Sequence, residues 1–164
     1  MNAAGIDVLA AAAPTSIADV QTALRELVAL AADRRAAQGA GATRTWAVLG
    51  TFDVPDEADG RPPSENERVV LHDRVGRLAV RLAVDKTLCV GHDRAIRALH
   101  QGAVMEGSWG DEVRLVGSLD EARTLLRSDA DWRPGPGDVV LLAGSVPGEG
   151  SPTDLTDELK GTDD

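Results

Sequence analysis

Thr87-Leu88-Cys89-Val90 is an unbroken apolar run closed by Gly91, with a helix legible on either side of it. A strand covered on one face alternates apolar and polar residues, whereas one covered on both faces does not. The run therefore predicts a strand buried inside a parallel sheet. Upstream, across residues 72–83, Val75, Leu78, Ala79 and Leu82 recur at helical spacing, with arginines on the wet side. That is the pattern of an amphipathic helix. Asp85 and Lys86 turn the chain into the run. Beyond it, His92 and Asp93 open a second helix carrying Ala95, Ile96 and Leu99. Helix, buried strand and helix in this order make an α/β unit.

Four further runs repeat the signal: Ile6–Leu9, Trp46–Leu49, Val113–Val116 and Val139–Leu142. With helical segments between them, they predict a single Rossmann-like, three-layer α/β domain. Its mostly parallel sheet would have about five or six strands, with helices on both faces and right-handed crossovers. Thr15 or Ser16 caps the first long helix, whose buried stripe is Ile17, Val20, Leu24, Leu27 and Ala31, and which ends by Gly39 or Gly41. Ser118-x-x-Glu121 reads as a capping box for a later helix. Residues 57–68, EADGRPPSENER, read as a solvated loop. The domain is assigned to residues 1–150, leaving 151–164 as a short helix from Thr153 to Leu159 and an acidic tail.

Composition narrows the function classes. A chain of 164 residues can bury a proper core without staples. The formal net charge of −10 argues against nucleic acid and anionic membranes, both of which need a basic surface. Aromatics make up 2% of the chain and tyrosine is absent, so base-stacking platforms are not expected. The single cysteine, Cys89, lies in the central run and has no internal disulfide partner, which fits a reducing cytoplasm. The first twenty residues lack a basic start and are interrupted by Asp7 and Pro14, so neither a signal peptide nor membrane insertion is expected.

The wording VGRLAVRLAVDKTLCVG, followed by GAVMEGSWG, resembles the C-terminal domain of the muramyl ligases, nearest to the dipeptide-adding branch in its actinobacterial form. GAVMEGSWG is the most specific part, because neither propensity nor packing demands it. The resemblance extends more weakly from Gly5 to about Gly150. It implies an α/β domain that delivers an amino acid or dipeptide to an acyl phosphate and closes over ATP. The phosphate loop, Mg²⁺ and carbamylated lysine would come from a central domain. No Gly-x-x-x-x-Gly-Lys-Ser/Thr occurs here, and the only lysines are Lys86 and Lys160.

The positions that carry chemistry in the family depart from its pattern. Where the family has Asp-Ala-Tyr-Asn-Ala-Asn-Pro, residues 8–14 are Val-Leu-Ala-Ala-Ala-Ala-Pro. Methyl groups cannot bond an adenine, a ribose or a carboxylate. After Gly50 the family continues with an acidic segment; here Thr51-Phe52-Asp53 follows, and Asp53, Asp56 and Glu57 have no spacing that makes them converge. Where the family has Lys-Gly-Ser-Arg, residues 143–146 are Ala-Gly-Ser-Val. The three histidines suggest no metal set: His72 reads as structural, His92 as a helix entrance and His100 as a helix exit.

The expectation is a stand-alone, degenerate muramyl-ligase C-terminal-like domain. It would have no catalytic residue, metal or cofactor of its own and would act as a protein-binding or regulatory module in peptidoglycan synthesis. Its partner would be a cell-wall enzyme or a second copy, met by Ala10, Ala143, Val146 and Trp109. Two alternatives stay open: an in-trans subunit of an ATP-dependent amide ligase, and a small-ligand or nucleotide-binding domain. For the latter, Thr15, Ser16, Thr51, Gly144 and Ser145 would line a shallow polar pocket at the strand ends.

Overall fold

A computed structural model describes residues 5–39, 43–107 and 111–161. In chain order the elements are β1 (Asp7–Ala10), α1 (Ile17–Gln38), β2 (Thr45–Leu49), α2 (Glu65–Arg81), β3 (Lys86–Val90), α3 (Arg94–Met105), β4 (Val113–Val116), α4 (Leu119–Ser128) and β5 (Val139–Ala143). A 3₁₀ turn (Pro152–Leu155) leads into the short α5 (Thr156–Lys160). The strands form one sheet in the order β1-β5-β2-β3-β4, and every pairing is parallel. The predicted Rossmann-like α/β class is borne out, with five strands.

The unbroken apolar runs are explained by cover on both faces. Successive strand residues point to opposite sides, so β2 sends Ala47 and Leu49 into one core and Trp46 and Val48 into the other. Strand β5 divides likewise, with Val139, Leu141 and Ala143 on the first face and Val140 and Leu142 on the second. The first core is closed by Ile17, Val20, Leu24 and Leu27 of α1, Val75 and Ala79 of α2, and Leu99 and Ala103 of α3. The second is closed by Leu119, Ala122 and Leu126 of α4, together with Trp132, Leu155 and Leu159. The 3₁₀ turn and α5 thus pack on the same sheet as everything before them. Each fully buried leucine of α1 contributes about 1.5–3 kcal/mol relative to exposure.

Polar side chains secure the amino-terminal edge of the sheet. Asp85 accepts from the Thr45 backbone N–H at 2.8 Å and from its hydroxyl at 3.0 Å, tying β2 to the turn before β3. Asp138 accepts from the Arg44 N–H at 2.9 Å and the Gly135 N–H at 2.7 Å. The buried indole of Trp46 donates to the Trp132 carbonyl at 2.9 Å, so its N–H is satisfied within an otherwise apolar layer.

Three local expectations are corrected. Helix α2 begins at Glu65, inside the stretch read as loop: Ser64 accepts from the Glu67 N–H, and Glu65 and Glu67 sit in the first turn, where the helix dipole favours acids. Polar residues on an exposed first turn look like a loop in composition alone. Ser118 accepts from the Glu121 N–H, but the Glu121 carboxylate accepts from Gly117, so only half of that capping box forms. His100 lies within α3 rather than at its exit, since the helix runs on to Met105.

Helices α2 and α3 cross at two glycines. A Cβ on Gly76 would lie 2.0 Å from the Leu99 carbonyl oxygen, and one on Gly102 would lie 2.2 Å from the Asp73 carbonyl oxygen. Both obstacles are backbone, which cannot swing aside, so the helices touch main chain to main chain. Arg77 and Arg81 of α2 fasten the crossing by ion pairs to Glu106. Gly76→Ala and Gly102→Ala should each destabilise the domain by about 3 kcal/mol, the upper part of the usual overpacking range. Gly161→Ala, which meets nothing within 4 Å, should change little. Urea denaturation of the three variants checks both statements.

Candidate functional site

In an open parallel sheet the ligand-binding crevice lies outside the carboxyl ends of the strands. Here that edge is built from residues 10–16 after β1, Gly50 to Asp53 after β2, Gly91 to Asp93 after β3, Gly117 and Ser118 after β4, and Gly144 to Gly150 after β5.

The predicted pocket residues do converge there, but they are bonded to one another. Thr15 is buried; its hydroxyl donates to the Ala12 carbonyl at 3.2 Å and accepts from the Gly144 N–H at 3.1 Å. The Gly144 carbonyl accepts from the Ser151 hydroxyl at 2.7 Å. Ser145 and Thr51 exchange both backbone hydrogen bonds, at 2.7 and 2.9 Å, and the Ser145 hydroxyl makes a long bond of 3.4 Å to the Thr51 carbonyl. The Thr51 hydroxyl donates to Asp93 at 2.9 Å, while the other Asp93 oxygen caps α3 through the Ile96 N–H. The Ser16 hydroxyl is taken by the Asp19 N–H as the cap of α1.

This closure requires glycine at two places. A Cβ on Gly50 would meet the Ser145 carbonyl oxygen at 2.5 Å, and one on Gly144 would meet the Gly50 backbone at 2.7 Å. Gly144 also has φ near +90°, a region side chains rarely adopt. A phosphate cradle needs backbone N–H groups free to point outward. The N–H groups of Gly144, Ser145 and Thr51 all donate within the protein instead.

The loop after β2 is also held from behind. Its Asp53 N–H donates to the Thr15 carbonyl at 2.8 Å, and the Ile17 N–H donates to the Asp53 carbonyl at 3.1 Å. Between these bonds, the Phe52 N–H donates to Nε2 of His72 at 3.0 Å. His72 is fully buried, its Nδ1 faces the Arg68 carbonyl at 2.7 Å, and its ring stacks on Phe52. Burial holds its pKa below the ordinary histidine value. The structural reading of His72 is accurate in kind, although the residue sits inside α2 rather than near its start.

Other candidates are placed apart from this cluster. Asp53 and Asp56 are exposed, and Glu57 pairs with Arg61 at 3.0 Å. His92 is exposed and packs against Gly117, and His100 is half-buried in α3. Among the described residues, no group of three or more His, Cys, Asp or Glu side chains is placed to hold a metal ion. The buried Cys89 thiol is pushed far above its ordinary pKa by desolvation, which leaves it unreactive.

Comparison with known proteins decides the broader kinship. The chain is 46% identical over 107 residues to a UDP-N-acetylmuramoyl-tripeptide–D-alanyl-D-alanine ligase of Mycobacterium leprae, across 65% of this chain and 18% of that protein. It is 42% identical over 113 residues to the ligases of the same name in Mycobacterium tuberculosis and Mycobacterium bovis, across 62% of this chain and 20% of theirs. The chain is similar to the muramyl ligases. It spans about a fifth of the length of these relatives. No family model matches it.

The residues expected to meet a partner separate. Ala10 is exposed, as are Ala12, Ala13 and Pro14. Ala143 and Val146 are 0% and 2% exposed and belong to the two cores, so neither can meet a partner across the surface. Trp109 lies outside the described residues. Two polar contributors were not singled out as site residues from sequence, Asp93 and Ser151. Each carried a cap signal: Asp93 directly before an apolar helix, and Ser151-Pro-Thr-Asp154, which forms a full capping box.

Because Thr15 satisfies a buried N–H, Thr15→Val should cost about 1–3 kcal/mol, the penalty for orphaning such a group. Ala143→Glu should be far worse, because it places a carboxylate between β5 and α1. Thermal melts of both variants provide the check.

Proposed function

We propose that this domain is a non-catalytic binding or regulatory module connected with peptidoglycan synthesis, and that it meets a protein partner in the cytoplasm. One observation carries the reading. The polar groups at the carboxyl edge, where a ligand would be held, are bonded to one another, and the loop after β1 presents exposed Ala10, Ala12, Ala13 and Pro14. Stabilising an acyl phosphate requires cations or metal aimed at developing negative charge. The side chains at the ends of β5, Ala143 and Val146, offer none. The kinship with the mycobacterial ligases supports the cell-wall setting. Among the described residues, no helix is long and apolar enough to cross a membrane.

The framework shared at 42–46% identity favours one second reading, in which the domain completes the site of a separate ligase core. A single set of mixtures separates the two. The chain is combined with the ATP-binding core of a muramyl ligase and assayed for complex formation by light scattering and for ADP release with UDP-MurNAc-tripeptide and D-alanyl-D-alanine. The module reading expects no ADP release above the core alone. Release that depends on this chain overturns it in favour of the in-trans subunit. The surface is tested with Ala12→Glu, which leaves the core untouched. It should weaken binding to a cell-wall enzyme, or self-association, about tenfold, equivalent to about 1.4 kcal/mol, at an unchanged melting temperature.

A further inference from the structure

Among the described residues, the Phe52 N–H has one hydrogen-bond acceptor, Nε2 of His72. At 3.0 Å this bond requires an unprotonated Nε2, and the 2.7 Å contact of Nδ1 with the Arg68 carbonyl requires a proton on Nδ1. The ring is therefore neutral, and it is held at both nitrogens. A proton added at Nε2 would set two N–H donors head to head across 3.0 Å. Such a pair cannot persist, so either the ring or the loop must move. The ring is constrained by burial, by the Arg68 carbonyl and by stacking on Phe52. The loop is held by backbone bonds to Ser145 on one side and Thr15 on the other.

We propose that neutral His72 is the latch of the carboxyl edge: proton uptake at Nε2 releases the Phe52 amide and lets the segment Thr51 to Asp53 leave residues 15–17 and 144–146. Departure of that segment frees the Ser145 and Ile17 N–H groups, whose acceptors are the Thr51 and Asp53 carbonyls. Two charged groups act on the ring. Arg68, one turn back on α2, opposes the imidazolium, and Asp93, at the start of α3, favours it. Asp53, on the latched segment itself, points to solvent. Burial is the largest influence and lowers the pKa, outweighing the Arg68 carbonyl bond and Asp93, which raise it. The closed form binds fewer protons than the open form, so closure is complete above the ordinary histidine value of about 6.5 and is lost as pH falls toward the depressed native one.

Amide hydrogen exchange at pH 7.5 and 5.5, corrected for intrinsic rates, tests the latch on the intact chain. Protection at Thr51, Phe52 and Asp53 should fall severalfold on acidification, with about tenfold the ceiling for one proton taken up at about 6.5, while Val48 and Leu141 in the central strands keep theirs. His72→Gln keeps an acceptor near Nε2 and does not titrate, so its loop protection should be independent of pH. Three results overturn the proposal: unchanged loop protection in the native chain, equal loss at core and loop, or the same pH response in His72→Gln. If that variant does not fold, the ring signals of His72 in the native chain decide instead. Protonation of Nε2 that coincides with loss of Phe52 protection supports the latch, and protonation without it overturns the latch.

Discussion

A buried backbone group with no water nearby must find a partner inside the protein. The central strands β2 and β5 are covered on both faces, so the chain leaving them starts in a dry layer. Gly50 and Gly144 let the two exits approach until Thr51 and Ser145 exchange hydrogen bonds. Thr15 and Ser151 then reach in from opposite sides to satisfy Gly144. The closed carboxyl edge follows from that constraint. The hydroxyls of Thr15, Ser145 and Ser151 answer backbone groups and that of Thr51 answers Asp93, before any can answer a ligand.

The crossing of α2 and α3 has its effect at the same edge. Because Gly76 and Gly102 admit main-chain contact, α2 lies close against its neighbour, and His72, one turn before Gly76, points inward beneath the loop after β2. Asp93, which caps α3, reaches Thr51 from the other side. A packing decision made by two glycines thus places both side chains that hold the loop. The ion pairs of Arg77 and Arg81 to Glu106 lie on the half-exposed flank of the crossing, where solvent screens them, so backbone fit and apolar burial carry most of the stability.

Much of the fold was legible because doubly buried strands leave unbroken apolar runs. Trp46–Leu49, Thr87–Val90 and Val139–Leu142 each fall inside an observed strand. The edge strand β1 reads one residue early, since Ile6 is buried without being paired as a strand. Helix α2 begins at Glu65, before the stripe read from sequence, and its first turn, Glu65-Asn66-Glu67-Arg68, is polar and carries no periodicity to read. At the site, sequence identified which residues gather at the carboxyl edge but not which way they face. Nothing in Ala-Gly-Ser-Val says that Ala143 and Val146 turn into separate cores, for that depends on a β5 exit folding back under Ser151 and onto Thr51.

The burial of Ala143 and Val146 links the changed chemistry to the closed shape. The muramyl-ligase resemblance leads one to expect a cation at each position, and a cation there would have to reach solvent or be buried at a cost of several kcal/mol. A long charged side chain at 143 would hold the β5 exit away from α1, and one at 146 would hold the following turn away from α4 and the 3₁₀ turn. With a methyl group and an isopropyl group in their place, both cores extend to the end of the sheet and the exit of β5 settles onto Thr51. That is why Ala143 and Val146 are better understood as core than as an exposed contact, whereas Ala10, Ala12 and Ala13 of the loop after β1 remain in solvent.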